Sequence, residues 1–189
     1  MNNCEGCPLG MFSTKSKCLT GVGNPMSGKI IVVPNIDREA YKNESMSFSS
    51  YVDIITHLLI PSIGRIEELD CYIAPFIRCK LDEKCPITRD IASKCMQYTF
   101  AEITQYNIRK VMFMGSAAFY AKFPPTSQTK NLIYLMNGVG YSTNYSPFVK
   151  YRDNMKYRDF CNRLTTWYSA DKTNNYNGMQ IIRVINNDS

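Results

Sequence analysis

Cysteine placement constrains this chain more than any other feature. Cys4 and Cys7 form a C-x-x-C pair at the start, and Cys79 and Cys95 lie sixteen positions apart in the middle. A C-x-x-C pair lets two thiolates meet one centre from a tight turn, so the other ligands must come from elsewhere in space. A zinc site usually brings a second C-x-x-C. The wide spacing of Cys79 and Cys95 suits a larger centre better, such as a four-iron, four-sulfur cube held by four cysteines. On spacing alone, a cluster, a zinc ion and no metal at all stay open in equal measure.

The rest of the composition narrows the setting. The N-terminus, MNNCEGCPLG, lacks the charged-then-apolar layout of a signal peptide. An intracellular, reducing setting is therefore expected, which favours metal ligation or buried thiols over a disulfide framework. Cys18, Cys71, Cys85 and Cys161 are read as thiols without a ligand role. No apolar run approaches the ~20 residues of a membrane span. With 189 residues, 44% hydrophobic and 20% charged, the chain reads as one globular domain over 1–189. Its formal charge of +6 is a weak pointer to a polyanionic partner.

Residues 1–28 are rich in Gly and Pro and poor in periodicity, with one short helix expected over 8–13. This arm needs something to tie it down. Lys29–Val33 is a β-branched run suited to a strand buried on both faces, ended by Pro34. Asn35–Ser47 reads as a loop at the carboxyl edge of that strand, where open α/β sheets gather ligands. Phe48–Ile60 reads as a helix stopped by Pro61. Cys71–Ile77 is a second strand, with Pro75 unusual inside it. Residues 80–87 read as a charged loop. Thr88 is placed to cap a helix running to about Asn107. Lys110–Met114 is a third strand, turning through Gly115 into a short helix ending near Phe123, and Leu132–Met136 is a fourth strand. Gly138–Ser146 reads as turn-rich. Tyr151–Tyr168 is an amphipathic helix with Met155, Phe160, Leu164 and Trp167 as inner anchors. The tail 171–178 is Asn-rich, and Met179–Ile185 reads as an added edge strand. Strands alternating with helices predict an α/β layered domain with a mainly parallel sheet.

Several residues in a fixed order resemble the iron–sulfur, family 4 branch of the uracil-DNA glycosylases. They are Cys4-Glu5-Gly6-Cys7-Pro8-Leu9, then Gly21-Val22-Gly23-Asn24-Pro25, then Arg78-Cys79-Lys80, then Cys95, then Met114-Gly115-Ser116-Ala117-Ala118. The resemblance covers residues 4 to about 165. It implies a 4Fe-4S cluster on Cys4, Cys7, Cys79 and Cys95. It also implies a three-layer α/β/α sandwich around a parallel sheet of about four strands. DNA, single- or double-stranded, would be the partner, and base flipping the mode of access.

The residues also depart from that family. Its Gly-Glu-Ala-Pro-Gly loop is replaced by Pro34-Asn35-Ile36-Asp37-Arg38, so Asn35 takes the Glu position; an amide orients water but is no carboxylate base. Phe48 keeps the position of the ring that stacks on the base. Pro75 stands where the family reads the uracil edge with an asparagine, and has no side-chain donor or acceptor. Tyr145-Ser146-Pro147 keeps the proline of the His-Pro-Ser type motif and loses the histidine. The chain's only histidine, His57, lies inside a helix and reads as structural. Removing one stabiliser of a developing anion costs on the order of 10²–10³ in rate, so ordinary uracil excision is expected to be lost or very weak.

Three readings follow. In the first, the chain binds DNA without ordinary excision. Arg78, Lys80, Lys84, Lys150, Arg152, Lys156 and Arg158 would supply charge, and Tyr145, Phe148 and Tyr151 would wedge or stack. In the second, it is an enzyme acting on a modified or different base, with Asn35, Asp37, Glu39 and Ser146 as polar lining. In the third, it is a viral interaction module with a protein partner in a replication or repair complex; the Asn- and Lys-rich composition is of a kind common in phage and viral genomes.

Overall fold

The computed structural model describes residues 7, 9, 18–61, 66–79, 86–129 and 132–170, and the backbone of 180–183. The expected helix over 8–13, Cys4, Lys80, Lys84, Cys85 and the tail 171–178 lie outside the described residues, except Leu9.

The chain is an α/β protein built on one sheet. Its strands are β1 (Val22–Gly23), β2 (Lys29–Asn35), β3 (Tyr72–Ile77), β4 (Lys110–Met114), β5 (Leu132–Met136), β6 (Val139–Asn144) and β7 (Gln180–Arg183), in the spatial order β1-β3-β2-β4-β6-β5-β7. Neighbours within β3-β2-β4-β6 are parallel. β1 runs antiparallel to β3, and β5 antiparallel to β6. The sheet is thus mixed and seven-stranded, which corrects the expectation of a mainly parallel sheet of about four. The cause is the pair Asn137–Gly138, with φ of 49° and 76°. Two successive residues at positive φ make the tight turn that joins antiparallel strands. It reverses the chain between β5 and β6, so the segment read as turn-rich is a fully buried strand.

Among the described residues, the α-helices are α1 (Arg38–Lys42), α2 (Ser50–Leu59), α3 (Arg89–Gln105), α4 (Ser116–Tyr120) and α5 (Asn154–Ser169). Side chains alternate across the sheet with the period of two that strands impose. Ile30, Val32, Val111 and Phe113 face a core shared with Ile91 and Ile103 of α3 and Ala117 and Ala118 of α4. Ile31, Val33, Met112 and Met114 face a second core shared with Val52 and Ile55 of α2 and Phe160, Leu164 and Trp167 of α5. Helices therefore cover both faces, as a sheet of continuous apolar strands requires. Among the described residues, no helix is long and apolar enough to cross a membrane.

Local chemistry explains the boundaries and several differences. Thr88 caps α3 through its hydroxyl, which accepts from the Ile91 N–H at 3.3 Å. Ser49 caps α2, leaving Phe48 outside it in a short 3-10 turn. The segment 35–47, read as loop, contains α1 because Asp37 caps it. Pro34 does not end β2. The pairing with β4 extends to Val32 and only the pairing with β3 continues to Asn35, so the ladder at Pro34 is one-sided. Pro75 is accommodated similarly, since β1 pairs only with Tyr72 and Ile73. Lys110 is buried at the start of β4 and donates to the carbonyls of Trp167 (2.5 Å) and Ala170 (2.8 Å). Its charge thereby meets the negative end of α5. Met155, expected as an inner anchor of α5, is 85% exposed, because the helix begins at Asn154 and its inward stripe starts at Phe160.

Candidate nucleic-acid interface and thiol crevice

Parallel strands bring the loops after β2, β4 and β6 to one edge of the sheet, the carboxyl edge. Asn35 ends β2 there. Its Oδ1 accepts from the Tyr51 hydroxyl at 3.3 Å, and its Nδ2 donates to the Ile36 carbonyl at 2.9 Å. Tyr51 is nearly buried. Burial, with the charges of Asp37 and Tyr120 adding, pushes its phenol up to about 12. The hydroxyl is therefore a neutral donor at ordinary pH, and it fixes the Asn35 amide.

Asp37 spends both oxygens on the backbone frame. Oδ1 accepts from the Ala40 N–H at 3.0 Å, while Oδ2 accepts from the Ser49 hydroxyl at 2.8 Å and the Ser50 N–H at 2.7 Å. One carboxylate thus caps α1 and holds the start of α2 beside it. Glu39 is exposed on α1. Ser146 caps the 3-10 turn Pro147–Tyr151, accepting from the Phe148 N–H at 3.4 Å. It packs against the turn after β4, where a Cβ added at Gly115 would lie 3.0 Å from the Ser146 Cβ. Gly115 has φ of 53°, so this close approach and this backbone both favour glycine. Pro75 is buried within β3.

Beneath the edge lies a residue that the sequence did not single out. Asn144 is fully buried at the end of β6; its Nδ2 donates to the Phe160 carbonyl at 3.1 Å and its Oδ1 accepts from the Tyr145 N–H at 2.8 Å. Its own carbonyl accepts from the Gly115 N–H at 2.8 Å and from the Thr126 hydroxyl at 3.0 Å. Asn144 thus binds the turn after β4, the turn after β6 and α5 into one frame. An asparagine beside Tyr-Ser-Pro was its only sequence signal.

The segments after these strands also carry aromatic side chains that packing leaves uncovered. Phe48 is 58% exposed, Phe119 77% and Tyr151 70%. They come from the segments following β2, β4 and β6 respectively. Phe148 is half-buried against Tyr51, with ring centroids 4.5 Å apart, and Tyr145 lies under the Arg163 guanidinium at 5.5 Å. Lys150 and Arg152 are exposed beside Tyr151, and the Lys150 ammonium lies 5.8 Å from that ring. Arg38, Lys42 and Arg158 are exposed on the same set of segments, and Lys156 is paired with Asp153 at 3.1 Å. His57 is exposed on α2 and bonded to Asp53, away from the other candidates in chemistry.

The thiols lie on the α3 face. Cys7, Cys18, Cys79 and Cys95 line a single crevice with Arg78. Three of the four expected ligands thus converge, and the fourth, Cys4, lies outside the described residues. Cys18, read without a ligand role, joins them, its Sγ 3.5 Å from the Cys79 Sγ. Among the described residues, no three His, Cys, Asp or Glu side chains are arranged as they stand to hold a metal ion. Arg78, expected to supply charge toward DNA, is buried instead. It is 3% exposed and forms a fork with Glu102, with nitrogen–oxygen distances of 2.9 and 2.5 Å. Burial pushes the guanidinium down, but the hydrogen bonds and charge of Glu102 outweigh it, so its pKa is raised. Tyr72 donates to the same carboxylate at 3.1 Å and accepts from the Gly21 N–H at 2.9 Å, which joins the arm to this network. The Arg78 Nε is buried without a partner among the described residues. A crevice of soft thiol donors with a spare buried N–H fits a thiolate-bound, negatively charged centre.

No protein-family model matches the chain, and no curated protein matches it.

Proposed function

We propose that the chain is a nucleic-acid-binding protein on an iron–sulfur uracil-DNA glycosylase-like scaffold, with ordinary uracil excision lost or very weak. The observation that carries this reading is that Phe48, Phe119 and Tyr151 stand exposed on the segments after three parallel strands, with Lys150 and Arg152 exposed on either side of Tyr151 in the chain. Exposed flat rings and exposed cations on the same segments suit a nucleic-acid strand, where bases stack and phosphates pair. The weak-excision part rests on Asn35, Pro75 and Ser146, none of which carries a carboxylate or an imidazole. Asp37, the nearest carboxylate in the chain, already accepts three hydrogen bonds.

A 4Fe-4S cluster would be held by Cys4, Cys7, Cys79 and Cys95. Its contribution when bound would be to pin the N-terminal arm against α3 and β3. The chain's own residues do the rest: Arg78 and Glu102 balance charge beside the thiols, and Tyr72 ties in Gly21.

Fluorescence anisotropy with single- and double-stranded oligonucleotides tests the reading, together with a uracil-release assay. Affinity should fall linearly on a log–log plot against salt, with a slope of roughly 0.7–0.9 per phosphate contact, while uracil release stays at background. Flat salt dependence sinks the binding reading, and rapid uracil release sinks the loss of excision. Iron and sulfide counts on anaerobically purified protein test the cluster separately.

A further inference from the structure

Cys18 shares the crevice without belonging to the proposed ligand set, and its contact with Cys79 has a chemistry of its own. The two backbones are stitched side by side: the Leu19 N–H donates to the Arg78 carbonyl at 3.0 Å, and Leu19 itself is buried. That bond places Cys18 beside Cys79, with the sulfurs 3.5 Å apart. A disulfide needs about 2.05 Å, a closure of roughly 1.5 Å that side-chain rotation supplies. The thiols differ in access. Cys18 is exposed, whereas Cys79 is 4% exposed.

We propose that Cys18 and Cys79 form a disulfide whenever Cys79 carries no metal, by exchange with a low-molecular-weight disulfide such as oxidised glutathione. The exposed Cys18 thiolate attacks one reagent sulfur, forming a mixed disulfide and releasing one glutathione thiol. The Cys79 thiolate then attacks the Cys18 sulfur and displaces the second glutathione thiol. Two protein thiols are oxidised by two electrons, the reagent's sulfur–sulfur bond is reduced, and the two thiol protons leave with the two glutathiones. The order follows from access, because the reagent reaches the outer sulfur first. The new bond ties residue 18 to the end of β3, in place of the pin that a bound metal centre would provide. It also keeps Cys79 from oxidation beyond the disulfide level, which is irreversible.

The inference does not require that the bound centre be a cluster, so metal content and disulfide mapping report on different claims. The protein is stripped of metal with a chelator under anaerobic conditions and incubated with oxidised glutathione. Remaining thiols are alkylated, and the disulfides are mapped by mass spectrometry after proteolysis. The expected result is a Cys18–Cys79 linked peptide as the dominant disulfide. In Cys79→Ser, Cys18 should instead accumulate as the glutathione adduct, several-fold above wild type. Wild-type Cys18 found alkylated, carrying only glutathione, or linked to a different cysteine overturns the proposal.

Discussion

At the thiol crevice, Arg78 and Glu102 meet in a dry interior, and Tyr72 adds a third group to the same carboxylate. At the carboxyl edge, Asp37 and Asn144 bond the loops into place, while Phe48, Phe119 and Tyr151 remain in water. The crevice spends the Glu102 carboxylate and the Arg78 Nη groups on each other, leaving only the Arg78 Nε without a partner among the described residues. The edge spends only its lower layer on itself and leaves large apolar rings uncovered. On the reading proposed above, those uncovered rings are where a nucleic-acid strand would stack. The difference separates residues that hold the molecule together from residues that packing does not use, and substitution should separate them too.

The largest effect is expected at the crevice. Glu102→Leu leaves the Arg78 guanidinium buried and unpaired, which should cost roughly 3–5 kcal/mol of stability. The double variant with Arg78→Met should recover much of that, because no lone charge remains. Urea midpoints at unchanged slope measure both. Equal losses in single and double variants would show that packing, not charge pairing, is what the network supplies.

Alkaline pH probes the layer beneath the edge. The Tyr51 phenol is raised from 10.0 to about 12 in the folded protein. Its contribution is fully present below pH ~10, where both states are neutral. It is lost as pH climbs toward 12, because the unfolded chain ionises first. A shift of this size is worth on the order of 2–3 kcal/mol. Thermal midpoints of wild type should fall between pH 10 and 12, and those of Tyr51→Phe should fall less steeply. Parallel pH curves would remove Tyr51 from the account.

The smallest effect on stability, and the sharpest contrast, belongs to the rings. Phe48→Ala, Phe119→Ala and Tyr151→Ala should each leave stability within about 0.5 kcal/mol. Each should weaken oligonucleotide binding by roughly 1–3 kcal/mol if it stacks on a base. A ring whose loss changes neither quantity is not part of the interface.

Much of the fold was legible because the strands are unusually uniform. KIIVV and KVMFM read as buried strands, and each sits in the centre of the sheet with both faces covered. Thr88 and the stretch after it announced α3 through a capping residue and an apolar stripe. Val139–Asn144 was missed because Gly140, Ser142, Thr143 and Asn144 are small or polar, although all are buried. Their burial comes from hydrogen bonds such as Ser142 to the Val111 carbonyl at 3.2 Å, which no apolar pattern encodes. The Asn137–Gly138 pair did carry a hairpin signal between two strands, and it identifies the turn once both φ values are known. At the site, the strand-then-loop pattern placed Asn35 at the carboxyl edge, while Phe48 and Ser146 were singled out only through the family resemblance. The pattern did not reveal that Asp37 is committed to capping or that Arg78 is buried. The cap itself is local, to the Ala40 N–H, but the second use of Asp37, holding Ser49 and Ser50, and the pairing of Arg78 with Glu102 depend on partners 12 or more residues along the chain. Cys18 was passed over for the same reason: its neighbour in space is sixty-one residues away.

The sheet ends at β7, four residues that pair in parallel with β5. Until synthesis has passed residue 183, a ribosome-bound chain holds β5 with that flank unpaired while the other strands are already available. An unpaired flank is a template for a neighbouring chain. Nascent copies on one message are thus most prone to pair with each other just before β7 emerges, and truncations ahead of residue 180 should aggregate rather than simply lose a strand.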